Sequence, residues 1–265
     1  MKTGRYGLTT SMTALTLTLI CGCSSNTTAP ADTKPKTVAN IAYTEVWSAD
    51  TGIDLFSRGA ELVRATSEAG YLTQFAGVDK SYPGYNRAVG APVSWHDEDK
   101  SEKLAWSNPV DPVIPKPGTF YNHITDYAAS DTQITASVCS YGISAVASTR
   151  PASTQVLNDA VQIHLSNYAP TPGVAGIPDI DPTKRDPRGH RVPTWNVFGT
   201  WTVARIKFHT RDSIPAGCTD WWQQQFPDFI RSPNYNFLTA PPGYQPPVHP
   251  IVEQYPEWIG PSASG

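Results

Sequence analysis

DTGIDLFSRGAELVRATSEAGYLTQFAG, residues 50–77, is the stretch of this chain with sustained helical periodicity. Ile53, Phe56, Ala60 and Val63 share one face, with Leu55, Leu62, Ala69 and Leu72 beside them. Apolar residues at such three- and four-residue spacings form a stripe that a helix buries against a core. Asp50 or Thr51 stands where an N-cap belongs, and Gly77 stands where a left-handed residue closes a helix. Asp54 with Arg58, and Arg64 with Glu68, are four apart, which reads as solvated ion pairs on the outer side rather than as catalytic groups.

From Gly118 the period changes to two. Tyr121, His123, Thr125 and Tyr127 alternate with Asn122, Ile124 and Asp126, and Asp131-Thr132 marks a turn. Ile134, Ala136 and Val138 then alternate with Thr135, Ser137 and Cys139, so the pair reads as a hairpin. Another strand runs from Val156 through Leu165. Residues 194–210 carry the densest β signal, with Val197, Phe198, Trp201, Val203, Ile206 and Phe208. Between those strands, 169–193 is rich in Pro, Gly, Asp and Arg, and so long a connection is either functional or mobile. Tyr82 and Tyr85 flank Pro83-Gly84, a turn they pin onto the domain. Near the C-terminus, Thr219 is placed to cap a short helix that Pro227 ends.

The implied class is α+β: a long N-terminal helix packed on a curved antiparallel sheet, with long proline-rich loops. The boundaries expected are a targeting segment over 1–22, a tether over 23–44, one domain over 45–232 and a proline-rich tail over 233–265. That tail, with Tyr235, Phe237, Tyr244, Tyr255 and Trp258, either drapes over the domain or waits for a partner. Prolines number 25 in 265 residues, well above the usual share of about 5%, so turns and extended segments should outweigh long regular elements.

The N-terminus locates the protein. Lys2 and Arg5 precede an apolar run from Leu8 to Ile20, too short for a bilayer core, which needs about 20 residues. The run ends at Leu19-Ile20-Cys21-Gly22-Cys23, which resembles the lipobox of bacterial lipoproteins. The resemblance implies that Cys23 receives the lipid and becomes the first residue of the mature chain, Cys21 leaving with the signal peptide. Cys21 departs from the commoner Ala, Ser or Thr. Residues 24–40, SSNTTAPADTKPKTVAN, have no apolar face and read as a flexible spacer. The membrane would then be a partner through the lipid on Cys23, with the domain facing the extracytoplasmic side.

Cysteine usage agrees with that compartment. With Cys21 removed and Cys23 lipidated, Cys139 and Cys218 remain, and a pair in an oxidising space is most simply a disulfide. Loss of residues 1–22 lowers Lys plus Arg from 20 to 18 against 23 acids, a mature net charge of −5. That balance, with no basic block, disfavours nucleic-acid binding.

No GxSxG elbow, HExxH, P-loop or dinucleotide fingerprint is present, so no catalytic motif, cofactor or metal is expected. His96-Asp97-Glu98-Asp99 matches no calcium-loop spacing. His123, His164 and His209 fall on expected strands. If they faced one concavity with Asp126 or Glu68 they would form an acid/base site, although histidines satisfied one by one are the simpler reading. Trp201, like Trp195, Trp221 and Trp222, fits core filling more readily than a pocket.

The lipobox, the Thr/Pro spacer, Arg64-Ala65-x-x-Glu68, Tyr82-Pro83-Gly84-Tyr85 and Gly217-Cys218-Thr219-Asp220-Trp221 together look like uncharacterised envelope lipoproteins of mycobacteria and related actinobacteria. The likeness spans roughly residues 1–232. A helix followed by four or so antiparallel strands is also similar to NTF2-like α+β cones, a class that hosts enzymes, carriers and structural partners alike. Two functions follow as expectations. One is a lipid-anchored binding or accessory protein of the envelope that recognises an envelope protein or ligand through 169–193 or the tail. The other is a small-molecule carrier or acid/base enzyme with its pocket between helix and sheet.

Overall fold

Tyr43, Glu45 and Trp47 alternate with Thr44, Val46 and Ser48, and this short period-two run forms β1 (Tyr43–Ala49), a strand the expected boundaries leave partly in the tether. The computed structural model describes residues 41–90, 117–146, 155–169 and 173–261. The targeting segment, Cys23, the spacer to residue 40 and the acidic cluster at 96–99 lie outside the described residues. Helix α1 (Arg58–Ala76) begins eight residues later than Asp50, and its cap is Ser57, whose hydroxyl accepts from the Ala60 N–H at 3.3 Å. Gly52 and Asp54 hold 50–57 in turns instead: Ile53 N–H donates to the Asp50 carbonyl and Phe56 N–H to the Asp54 carboxylate. At the other end Gly77 has φ of 84°, which a side chain would resist, and its N–H closes onto the Thr73 carbonyl. A short α2 (Tyr85–Val89) follows the Pro-Gly turn, and both tyrosines flanking that turn are buried.

The hairpin forms as expected: β2 (Gly118–Ala129) pairs antiparallel with β3 (Gln133–Ser144). The strand expected at 156–165 divides into β4 (Val156–Leu157) and β5 (Asp159–Ser166), and a two-residue β6 (Gly189–His190) lies in the long connection. Strand β7 covers only Thr202–Phe208. Val197, Phe198 and Trp201 are apolar because they fill the core from a turn, Phe198 packing on Tyr85. Helix α3 (Ala216–Gln225) starts after Pro215, so Thr219 is a buried residue of its second turn and not its cap. The strands β8 (Ile230–Arg231), β9 (Leu238–Thr239) and β10 (Trp258–Ile259) complete the chain.

The main sheet has the order β1-β2-β3-β5-β7 and is mixed. β1 runs parallel to β2 because the chain between them crosses the sheet through α1, as parallel neighbours require; the other pairings are antiparallel. One face meets α1: Ile124, Val138, Ile163 and Ile206 pack with Leu62, Val63, Ala65 and Ala69 in the larger core. Full burial of each large aliphatic side chain contributes about 1.5–3 kcal/mol. The opposite face is half covered by α3, which Cys218 joins to Cys139 of β3 through a disulfide. Trp222, Leu157, Tyr141 and Leu238 make a second core there.

The proline-rich C-terminal residues lie on the domain. Trp47 N–H donates to the Tyr255 carbonyl at 2.8 Å and Tyr255 N–H to the Glu45 carbonyl at 3.0 Å, so 252–256 covers the free edge of β1. Beyond it, β10 pairs with β6, and Trp258 is buried against α1. No helix among the described residues is long and apolar enough to cross a membrane.

Two β-bulges interrupt the sheet, one in β2 between Thr125 and Ala128, the other in β7 opposite His164/Leu165. In the first, Ile124 faces the larger core, and Tyr127, three residues on, also turns that way to meet the Ser57 hydroxyl at 3.2 Å. A regular strand cannot send residues three apart to one face. The extra residue lets Thr125 and Asp126 both face outward, Asp126 taking the left-handed φ of 50°. Val203 and Ile206 pose the same problem in β7, and its bulge sends Arg205 outward to join Lys207.

Candidate functional site

Three groupings of polar side chains emerge from these elements. The first is buried beneath α1. Arg64 and Glu68, four apart, are 4% and 2% exposed, so they are not the solvated pair that their spacing suggests. Glu68 accepts from the Tyr82 hydroxyl and, at 2.8 Å, from the Trp258 indole N–H. The Arg64 guanidinium lies over the Trp258 ring, 4.6 Å from its centroid. Glu45 of β1 accepts from the Asn122 amide, whose oxygen in turn accepts from the Ser140 hydroxyl at 2.7 Å. Burial raises the Glu68 carboxyl against the pull of Arg64 and its hydrogen bonds. Burial and then the Glu68 charge raise Glu45 well above the usual carboxylate range. This cluster joins α1, β1, β2 and the C-terminal segment, and it stitches the fold together.

The second grouping centres on His123. Its Nδ1 lies 2.9 Å from the Ser48 hydroxyl and its Nε2 2.9 Å from Asp50, while Thr125 donates to the other Asp50 oxygen at 2.5 Å. The ring is stacked on Trp221 at 5.0 Å. Burial acts to raise the Asp50 carboxyl, but the hydrogen bonds from Thr125 and His123 outweigh it and hold it below its ordinary value. Burial lowers His123 more than Asp50 raises it. Ser, His and Asp in this order invite comparison with a nucleophile relay. The ring is however only 6% exposed and stacked on Trp221 of α3; the group links β1, β2 and α3.

The third grouping is open. Beyond the edge of α3, the outer sheet face forms a depression of about 480 Å³, within the range of small-molecule sites. Its floor is set by register. Thr135, His164 and Arg205 make one cross-strand row, and Ser137, Gln162 and Lys207 make the next. Asp126 and His209 stand at the rim, with Ser213 beyond. The Ser137 hydroxyl lies 3.0 Å from His209 Nε2, and Ser213 lies 3.3 Å from its Nδ1, so the imidazole is held between two hydroxyls. Burial, then the Arg205 charge, lowers His164. Burial lowers His209, with Lys207 adding to it against the pull of Ser213 and Asp126. Both shifts favour the neutral imidazole, which presents an acceptor as well as a donor.

Family models, curated proteins and solved structures contain no match to this chain. Its chemistry therefore rests on the site itself.

Of the histidines singled out in the sequence, His164 and His209 come together with Asp126, and His123 does not. Trp201 is 2% exposed in the larger core and lines no part of the depression. Cys139 and Cys218 are bonded to each other. The residues that sequence reasoning missed here are Arg205, Lys207, Gln162 and Ser137. Their signal was present: Val203 and Ile206 are three apart in a strand, so a bulge was needed and Arg205 had to emerge beside Lys207. Among the described residues no group of three or more His, Cys, Asp or Glu is arranged to hold a metal ion.

Proposed function

We propose that the protein is a lipid-anchored, extracytoplasmic binding protein of the cell envelope, and that it takes a small polar ligand on the open face of its sheet. The lipobox-like Leu19-Ile20-Cys21-Gly22-Cys23 supports the anchor and, with the other motifs, a likeness to actinobacterial envelope lipoproteins. The observation that carries the binding role is the depression floored by two cross-strand polar rows and bordered by two bulges. Bulges that turn charged residues onto a sheet face concentrate at binding and active sites. A site of this kind fits a carrier more closely than an acid/base enzyme, because neither imidazole is paired with a carboxylate at hydrogen-bond distance. The NTF2-like reading of the fold has the packing of α1 across β3 and β5 in its favour; even so, the space between that helix and the sheet is filled by the larger core, and the depression lies on the other face.

Two experiments test this reading. Cys23→Ala should move the protein from the membrane fraction to the soluble one, and retention in the membrane would defeat the anchor. Native mass spectrometry of protein purified from its own envelope should show a bound small molecule. Gln162→Trp, which fills the middle of the depression, should abolish that adduct; an adduct unchanged by this substitution would remove the depression as the site.

A further inference from the structure

Four exposed apolar side chains gather at one end of the main sheet, the end where β1 and β2 begin and β3 stops. Segment 248–252 crosses that end. Val248 bridges to Ser144, the last residue of β3, and the Ser144 hydroxyl donates to the Val146 carbonyl at 2.7 Å. Thr44 of β1 donates to the Val252 carbonyl at 2.7 Å, and the Val252 N–H donates to the Thr119 hydroxyl of β2 at 3.0 Å. Val146, Val248, Ile251 and Val252, held in this way, are 39–53% exposed. Single exposed aliphatics are ordinary on a protein surface, but four at one sheet end mark a contact surface. The backbone beside them also shows few bare donors. Pro246, Pro247 and Pro250 have no N–H, and His249 gives its own to the Ser144 carbonyl at 3.1 Å. Unpaired donors are what make backbone costly near lipid.

Chain position names what this surface meets. β1 begins at Tyr43, in register with Gly118, so the polypeptide enters the domain at the same end. Ile41, whose carbonyl accepts from Arg191 at 3.1 Å, is 18 positions from Cys23. A flexible chain of that length has a root-mean-square reach of about 25 Å, so a lipid on Cys23 keeps this end of the sheet close to its membrane. We infer that the apolar end of the domain docks on that lipid surface, with Val146, Val248, Ile251 and Val252 in the headgroup boundary. The inference rests on the lipid anchor proposed above. The net acidic charge of the chain does not assist such a contact. Apolar burial carries it, strengthened by the high local concentration that a tether imposes. An orientation follows. Asp126 and Thr135 of the depression lie toward the β2–β3 turn, and Thr135 stands nine residues before Ser144 on β3, about 30 Å along the strand. Docking therefore holds the depression away from the bilayer, open to the extracytoplasmic space.

The test uses the mature chain, residues 23–265, coupled through the Cys23 thiol to a maleimide-bearing phosphatidylethanolamine in phosphatidylethanolamine/phosphatidylglycerol nanodiscs. Cys139 and Cys218 are bonded to each other, which leaves Cys23 as the free thiol of that chain. Lipids carrying a nitroxide should broaden the methyl resonances of Val146, Val248, Ile251 and Val252, and should spare Ile134 near the β2–β3 turn. Ile251→Ser with Val252→Ser, both at exposed positions, should cut the effect on Val146 and Val248 about tenfold. Broadening of Ile134 to the same extent, or broadening that survives the Ser substitutions, would overturn the inference. Contacts of Ile251 with residues 91–116 or with a second copy, seen in the absence of lipid, would overturn it as well, because the surface would already be occupied. Supplying the lipid chemically keeps the two readings apart. A domain that fails to dock leaves the anchor to the Cys23→Ala fractionation, and a failed anchor leaves the docking measurement standing.

Discussion

Glu68 and Trp258, 190 residues apart in the chain, are joined by a 2.8 Å hydrogen bond from indole to carboxylate. The bond fastens the C-terminal segment to α1, and the same indole carries the Arg64 guanidinium on its face. Removing the ring leaves a cavity, a carboxylate short of a donor and a guanidinium short of its platform. Trp258→Ala is therefore expected to destabilise the domain by about 3–5 kcal/mol. Trp258→Phe retains much of the volume but no N–H, and should cost about 1–3 kcal/mol. Urea unfolding followed by far-UV circular dichroism measures both, and a Phe variant as stable as the parent would show that packing alone matters here.

The same cluster sets a pH dependence. Glu45 and Glu68 are both raised above the ordinary value of 4.5 in the folded state. A carboxyl raised by folding binds its proton more tightly in the native state than in the unfolded one. Its favourable contribution is then full below the unfolded value and is lost as pH rises through the folded one. Stability should accordingly fall as pH climbs from near 4.5 toward neutrality, opposite in sign to a chain governed by exposed ion pairs. Glu45→Gln keeps the shape without the titration, and should flatten that slope while raising stability at pH 7. Urea midpoints of both proteins between pH 4 and 8 test it; parallel profiles would contradict the assignment.

Asp126 holds a left-handed φ of 50° and lines the depression on the outer sheet face. Asp and Asn tolerate that region, whereas a β-branched side chain clashes with its own backbone there. Asp126→Val should therefore destabilise by about 1–2 kcal/mol, and Asp126→Asn should stay within about 0.5 kcal/mol of the parent. Thermal unfolding distinguishes them. Equal effects would mean that the carboxylate, and not the backbone, decides the stability of the bulge.

How far the sequence could be read follows from what its patterns encode. Periodicity placed a helix within 50–77, of which 58–76 is helical, and revealed the β2–β3 hairpin and the α+β class, because each buries one face against a single neighbour. It misled where a residue's surroundings depend on distant chain. Arg64 and Glu68 occupy ordinary i,i+4 positions, and only the return of Trp258 from the C-terminus buries them. Phe198 and Trp201 look like strand residues because both strands and buried turns select large apolar side chains. The depression was only half legible: His164, His209 and Asp126 were candidates, but convergence depended on two register shifts. Those shifts do leave a trace, core residues three apart at Ile124/Tyr127 and Val203/Ile206, which a strict period-two search discards.

The disulfide between Cys139 and Cys218 closes a loop with a sequence separation of 79. In the chain-entropy picture a loop of that size restricts the unfolded state by on the order of 4.5 kcal/mol. It also has a local task, since it fixes α3 over β3 where Trp221 stacks on His123. Gly217, the neighbour of Cys218, lies so close to the Thr125 hydroxyl that an added Cβ would collide with it. Replacing both cysteines by Ala should thus lower stability by about 2–5 kcal/mol and weaken the near-ultraviolet signal of Trp221 and Trp222 before the rest of the fold gives way. Peptide mapping without reductant should recover the two cysteines in one linked pair, and free alkylation of both would refute the bond. If the double Ala variant instead unfolds in a single step, with tryptophan and backbone signals coincident, α3 is held by its apolar contacts as firmly as by sulfur.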